Sequence, residues 1–397
     1  MPGAEIRDPT GGANHVGLRD YNERVVMSVI QRHGAIASVE IARRTRLSAQ
    51  TVSVILRRLE AEGLITRGTP QRGKFGKPQT PVALAPGGVL SLGFKIGRRT
   101  TDLVLVDLAG KMRARLAATY AFPTPDKVMG FLRAGLPRIE ATLSAEERAR
   151  IAGIGVAVPF ELWNWLDTVR ASPHEMEAWR DFDFAAAIGE ISDHKVFLSN
   201  DATAACAAEH AFGQGRGLSD YAYVFIGYFC GGGVVLNGAV HAGRTGNAGA
   251  FGTLPVGDTA RPGHQLLHKA SLYLLERRLL EAGEDPMRIW RGTEGWEGLG
   301  RPVDDWIEAT ARHLAVAAVA VCSVIDFEAV VIDGGFPTDV RARLIEAARR
   351  HLEGIETQGI ARPVLREGAV GAQARSIGGA FLPIASEYLM VGASFGT

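Results

Sequence analysis

Residues 89–120 read VLSLGFKIGRRTTDLVLVDLAGKMRARLAATY, and residues 221–240 read YAYVFIGYFCGGGVVLNGAV. The first stretch divides into three β-rich runs, 89–96, 101–107 and 112–120, with turns at Gly97-Arg98-Arg99 and around Gly110, and so predicts a meander. The second predicts another hairpin: strand 221–226, a turn at Gly231-Gly232-Gly233, strand 234–236, a turn at Asn237-Gly238 and a short return. A glycine-turned hairpin followed by mixed helix and strand thus occurs twice, which predicts a duplicated, two-lobed α/β fold. A solenoid would repeat over a far shorter period.

Working outward, helices are expected near 125–149, buried strands at 151–158 and 195–199, and an Ala-rich helix over 200–212. Long helical patterns occupy about 262–282 and 303–327. A strand at 329–332 leads into Asp333-Gly334-Gly335, and helices near 338–353 and 373–390 follow.

Apolar residues make up 46% of the 397 and charged residues 22%, ordinary globular usage that excludes wholesale disorder. The amino-terminal residues lack the apolar core of a signal peptide, and the longest clean apolar run, 314–325, is too short to cross a bilayer. Cys206, Cys230 and Cys322 form no C-x-x-C pair and read as small buried residues, so a reduced, cytoplasmic location with no membrane partner is expected. His264 and His268 stand four apart without a third ligand and read as a surface helix pair; no metal and no cofactor is expected. Residues 1–85 hold 13 Lys and Arg against 7 Asp and Glu, whereas the remainder is slightly acidic. A basic front end of this kind suits a polyanion.

Residues 1–19 read as a loose tail. From Asn22 to Leu64 three apolar stripes follow at helical spacing: Val25, Val26, Val29, Ile30; then Ile36, Val39, Ile41, Ala42; then Val52, Ile55, Leu56, Leu59. Ser48 is placed to cap the third helix. The second and third have helix-turn-helix dimensions, and the face opposite the third stripe shows Gln50, Thr51, Ser53, Val54 and Arg57. Gln can pair with adenine, Arg with guanine, and Thr or Val can touch a thymine methyl. A strand at 64–67, a Gly- and Pro-rich loop with Arg72, Lys74 and Lys77, and a strand at 82–85 make a wing. Residues 20–86 are thus expected to bind double-stranded DNA.

The segment Gly73-Lys-Phe-Gly-Lys-Pro78 after that winged helix resembles regulators of the ROK family (repressors, open reading frames, kinases). So do Ile154-Gly-Val-Ala-Val-Pro159, Trp179-Arg-Asp-Phe-Asp-Phe184, Asn200-Asp-Ala-Thr-Ala-Ala205, Gly231-Gly-Gly-Val-Val-Leu-Asn-Gly238 and Ile332-Asp-Gly-Gly335. The likeness implies a two-lobed, actin-like sugar-kinase-type domain. The expected limits are 89–200 for the first lobe, with a carboxy-terminal helix at about 382–397, and 201–381 for the second. It also implies a small carbohydrate or sugar-phosphate effector between the lobes, touched by His174, Asn200 and Asp201. Gly97, Gly231, Gly232, Gly233, Gly334 and Gly335 become remnants of nucleotide loops. A homodimer or dimer of dimers on a pseudo-palindromic operator completes the expectation.

Departures from the kinase pattern imply that no catalytic residue remains. Kinases of the family open with Asp-x-Gly-Gly-Thr-Lys, where this chain has Lys95-Ile-Gly97-Arg98-Arg99-Thr100. A carboxylate has become a cation and a glycine an arginine, which opposes phosphoryl transfer. The family's Ala-Gly-Glu-x-Gly-His, whose Glu and His grip sugar hydroxyls, reads Ala248-Gly-Ala-Phe-Gly-Thr253, and where its Cys-rich zinc loop should follow Val256, residues 257–264 contain no cysteine. Lys95, Arg98 and Arg99 either add positive charge to the cleft, favouring an anionic effector, or point into solvent. An active kinase with a DNA-binding appendage, and a domain kept for dimerisation alone, are the rival readings.

Overall fold

The computed structural model describes residues 15–70, 80–163 and 173–390. The chain forms two compact units, one holding residues through Gly88 with Tyr388–Met390, the other Val89–Glu387.

In the first unit, helix α1 runs His15–His33 and ends at Gly34, whose φ of 72° favours glycine. Strand β1 (Ile36–Ala37), helix α2 (Ser38–Thr45), helix α3 (Ala49–Ala61), and strands β2 (Ile65–Arg67) and β3 (Pro81–Leu84) follow. Val26, Ile30, Ile41, Val52, Ile55, Leu56 and Leu59, drawn from the three stripes, are all buried. Two features differ from expectation. Helix α1 begins at His15, inside the stretch read as a tail. Ile36, read as helical, pairs as a strand with Val82 in a sheet ordered β1-β3-β2; a partner so far along the chain leaves no trace in local periodicity. Met390 closes this unit, its N–H donating to Ser28 Oγ at 2.7 Å.

The second unit is built twice from one plan. Strands β4 (Leu90–Ile96), β5 (Thr100–Asp107), β6 (Met112–Thr119), β7 (Ile151–Val158) and β8 (Val196–Asn200) form a sheet ordered β6-β5-β4-β7-β8. Strands β9 (Tyr221–Ile226), β10 (Cys230–Leu236), β11 (Ala239–His241), β12 (Ala329–Gly334) and β13 (Leu365–Glu367) form a second, ordered β11-β10-β9-β12-β13. In each an antiparallel meander comes first and two parallel strands extend it. Leu92, Phe94 and Leu103 of the first sheet bury against Val128, Leu132 and Leu136 of helix Pro125–Glu140. Ile332 of the second shares a core with Trp306 and Leu314 of helix Arg301–Val324 and Leu344 of helix Thr338–Glu353. Among the described residues, Arg301–Val324 is the one helix whose length and composition would let it cross a membrane. Here it is a core helix.

The triple glycine 231–233, expected as a turn, lies inside β10, with Gly231, Gly232 and Gly233 opposite Phe225, Val224 and Tyr223. The turn is Gly227-Tyr228-Phe229. Helix Asp201–Phe212 packs so tightly on β10 that a Cβ at Gly233 would stand 2.5 Å from Cys206 Cβ. Close approach, not chain reversal, explains these glycines. The long helix expected over 262–282 is Leu272–Glu281 preceded by a single turn at Leu266–His268. The buried Ser271 hydroxyl donates to Leu267 O and accepts from Cys230 N–H, bending the chain there. His264 and His268 therefore share no helix face, and all three cysteines are buried.

Candidate functional site

The first unit presents α3. Arg46, left-handed at φ 56°, turns α2 into α3, and Ser48 Oγ accepts from Thr51 N–H at 3.0 Å, capping the new helix. Ser48 and Thr51 share a second hydrogen bond between their hydroxyls. With Val52, Ile55, Leu56 and Leu59 committed inward, Gln50, Ser53, Val54 and Arg57 are exposed and Thr51 is half-buried. Val54 keeps 54% of its surface in water, so its methyl groups stand open on this face. Arg57 Nε donates to Ser53 O at 3.3 Å, which lays the side chain along the helix. The sequence reading missed Arg46, an exposed cation at the entrance of α3. Arg72, Lys74 and Lys77 lie outside the described residues.

In the second unit the two hairpin turns meet. Arg98 and Arg99 of the β4–β5 turn face Phe229 and Tyr228 of the β9–β10 turn, with guanidinium carbons 4.5 Å and 4.7 Å from the ring centres. Arg99 also forks onto Glu276 at 2.8 Å and 3.0 Å. Lys95 is wholly buried, its ammonium 2.8 Å from Asp102 Oδ2 and donating to the Thr100 carbonyl and hydroxyl. Arg115 holds the other Asp102 oxygen at 2.6 Å. Burial pulls the Lys95 pKa down to about 8, although Asp102 resists the shift. Burial pushes the Asp102 carboxyl up, but the two cations outweigh it and leave the group below its ordinary value. None of the three cations points into open solvent.

Asn200 ends β8 and caps helix Asp201–Phe212, its Oδ1 accepting from Ala202 and Thr203 N–H at 2.9 Å and 3.2 Å. Asp201 Oδ2 accepts from Arg375 Nη1 at 3.1 Å, and Arg375 stacks on Phe225. Among the described residues Asp201 Oδ1 has no protein donor. Asn200, Asp201, Gly231 and Gly232 line a cavity of about 250 Å³ with Arg98 and Arg375. Thr253 is on its wall, its hydroxyl spent on Ala250 O at 2.8 Å. A neighbouring cavity of about 500 Å³ shares Phe160 and Asn200 and is walled by Trp163, Trp179 and Phe184. His174 falls in the short helix Pro173–Glu177; its side chain lies outside the described residues.

A third cavity, about 480 Å³, opens between Lys95, Asp102 and Arg115 on one side and Trp290, Gly335 and Phe336 on the other. Gly97 stays in its turn, its N–H donating to Thr100 O at 3.0 Å. Gly334 is pressed against the Phe336 ring, which a Cβ would meet at 2.3 Å. The glycines expected as one set of nucleotide-loop remnants thus do different work: Gly335 lines the third cavity, Gly231 and Gly232 the first, Gly233 and Gly334 give room for packing. Asp333, buried beside them, is pushed above its ordinary pKa by burial, against the pull of Gly371 N–H, Gly334 N–H and Arg341.

The ROK family model matches residues 91–264, and a winged helix-turn-helix DNA-binding model matches 19–66. An uncharacterized protein of Sinorhizobium fredii, y4fQ, is 27% identical over 88% of this chain and 89% of its own length. The Escherichia coli DNA-binding transcriptional dual regulator NagC is 25% identical over 62% of this chain and 61% of its own length, so the match leaves more than a third of that regulator unaligned. A crystal structure of a ROK family transcriptional regulator, a homolog of the E. coli MLC protein, shares the fold. Its TM-score is 0.62 at 20% identity, covering 92% of this chain and 96% of that one. Residues 91–264 thus carry a ROK family domain, and residues 19–66 of the same chain a winged helix-turn-helix DNA-binding domain.

Proposed function

We propose that the chain is a cytoplasmic repressor that responds to a small carbohydrate-like ligand and does not transfer phosphate. Residues 20–86 bind a pseudo-palindromic operator as part of a homodimer, with α3 in the major groove: Gln50, Ser53, Val54 and Arg57 meet base edges, and Ser48 and Thr51 approach the backbone. Arg72, Lys74 and Lys77 supply further phosphate contacts from the wing. The cavity bounded by Asn200 and Asp201 takes the ligand, with Asp201 Oδ1 accepting a hydroxyl proton in a hydrogen bond rather than acting as a base. Control needs the ligand to bind the DNA-competent and DNA-incompetent states with different affinity.

The observation that carries this reading is the Lys95–Asp102 pair at 2.8 Å. It puts a buried cation where the kinase pattern has its carboxylate, and no metal-bound phosphate can be managed by an ammonium already tied to Asp102. Regulator relatives support the DNA side. Two measurements test it together. Genome-wide mapping of bound sites, followed by footprinting, is expected to give an inverted repeat protected by the purified chain. An ATP-dependent assay over a panel of sugars is expected to show no phosphorylation; turnover at an enzymatic rate would overturn the reading.

A further inference from the structure

We propose that Arg98 makes the cavity beside Asp201 an anion site, holding a carboxylate or phosphate group carried by the hydroxylated ligand. The inference deepens the ligand-sensing reading above and rests on it. Arg98 is 9% exposed, and its guanidinium carbon lies 4.5 Å from the centre of the Phe229 ring. A cation beside a ring is held by the ring quadrupole, a contact that supplies no oxygen acceptor to the five N–H donors of the guanidinium. Among the described residues none of them has an acceptor, and Nε is fully shielded from water without one. A buried donor without an acceptor is costly, and more so when it is charged.

Its neighbours show what is missing. Arg99 has Glu276, Lys95 has Asp102, and Arg375 has Asp201. Arg98 alone in this group has no carboxylate of its own, yet it lines the same cavity of about 250 Å³ as Asp201, Asn200 and Asn247. Burial lowers its pKa to about 10 while Asp201 and Tyr228 favour the charge, so it remains a cation at neutral pH. A planar fork of donors suits an oxyanion with two or three oxygens. Asp201 Oδ1 and the side-chain amide of Asn247 suit hydroxyls. One anionic end and one hydroxylated end describe a sugar acid or a sugar phosphate. Glu161, the other carboxylate on the wall, disfavours the anion near itself and so directs it to the Arg98–Phe229 end.

The test follows the melting temperature of the full-length wild type, Arg98→Gln and Arg98→Lys during titration with inorganic phosphate against chloride at constant ionic strength. Glucose, gluconate and glucose 6-phosphate are then compared as ligands. The expected result is a saturable rise with phosphate in the wild type, a smaller one in Arg98→Lys, which keeps the charge but not the fork, and none in Arg98→Gln. An anionic sugar derivative that binds is expected to do so about tenfold or more tighter than glucose, with the preference lost in Arg98→Gln. Which derivative responds separates carboxylate from phosphate. No phosphate response in the wild type, or one equal in all three proteins, overturns the anion site. Release of operator DNA by glucose without an anion response sinks the anion site while sparing the sensor; no effect of any probe on melting or on DNA release sinks both.

Discussion

On the reading proposed above Lys95 stands in place of the kinase pattern's carboxylate, and its ionisation gives a measurable signature. Its pKa falls from near 10.5 free to about 8 when buried, so above pH 8 the folded protein sheds a proton that the unfolded chain still holds. The unfolded state then binds more protons, and stability rises with pH through that window. Relative to Lys95→Met, the wild type is expected to gain roughly 2 kcal/mol between pH 7.5 and 9.5, measured by urea unfolding of both proteins. A parallel pH dependence in the two would show that Lys95 is not the titrating group. At the DNA face, Arg57→Ala is expected to cost about 1–3 kcal/mol of operator affinity and to relax preference at one base pair, read by competition between operator variants. Among the described residues it makes no ion pair and donates one long hydrogen bond to a helix carbonyl, at 3.3 Å, which leaves the guanidinium available.

Packing between elements is decided by glycines that nothing in the local sequence distinguishes. Helix Ala374–Tyr388 lies against the first sheet and helix Asp201–Phe212 at backbone distance. A Cβ on Gly155 would fall 1.9 Å from Gly379 O, and one on Gly378 would fall 1.8 Å from Ala204 O. Gly378→Ala forces backbone apart, at an expected cost of at least about 1–3 kcal/mol in chemical denaturation. Gly130, exposed inside helix Pro125–Glu140, has nothing within 4 Å of its would-be Cβ. Gly130→Ala is expected to stabilise by about 0.5–1 kcal/mol, because alanine loses less backbone freedom in a helix. If both alanines destabilise equally, the distinction drawn from packing is wrong. At the helix-turn-helix, Ser48→Ala removes the α3 cap, at an expected cost of about 1 kcal/mol, with weaker operator binding as a consequence of a frayed reading helix.

Over the whole molecule, charge is divided as function would have it. The excess of six positive charges within residues 1–85 sits on a chain whose net charge is +1. Operator binding is therefore expected to fall steeply with salt, since each phosphate neutralised releases condensed counterions. Lys74→Ala should lessen the slope of log K against log salt by about 1 for each copy of the chain on the DNA while weakening all DNA sequences alike. An unchanged slope would remove the wing from the interface. Linkage supplies a second check at this scale: whatever factor a ligand takes from operator affinity, the operator must take from ligand affinity.

The sequence by itself determined the order of most elements, the winged helix and the doubled hairpin. These rest on local periodicity, capping residues and motif spacing, which neighbouring side chains encode directly. It put Ser48 at the α3 cap and Asn200–Asp201 at a strand-to-helix junction, where the structure has them. Only the tertiary structure decided that Gly231–Gly233 form a strand, that Ile36 pairs as one, and that Lys95, Arg98 and Arg99 turn inward. Each of those outcomes depends on a partner brought near by folding: Cys206, Val82, Phe229 or Glu276 from far along the chain, and Asp102 from across a hairpin. Whether a cation is paired with a carboxylate or set against a ring is a matter of burial and proximity, and proximity across the chain is what folding creates.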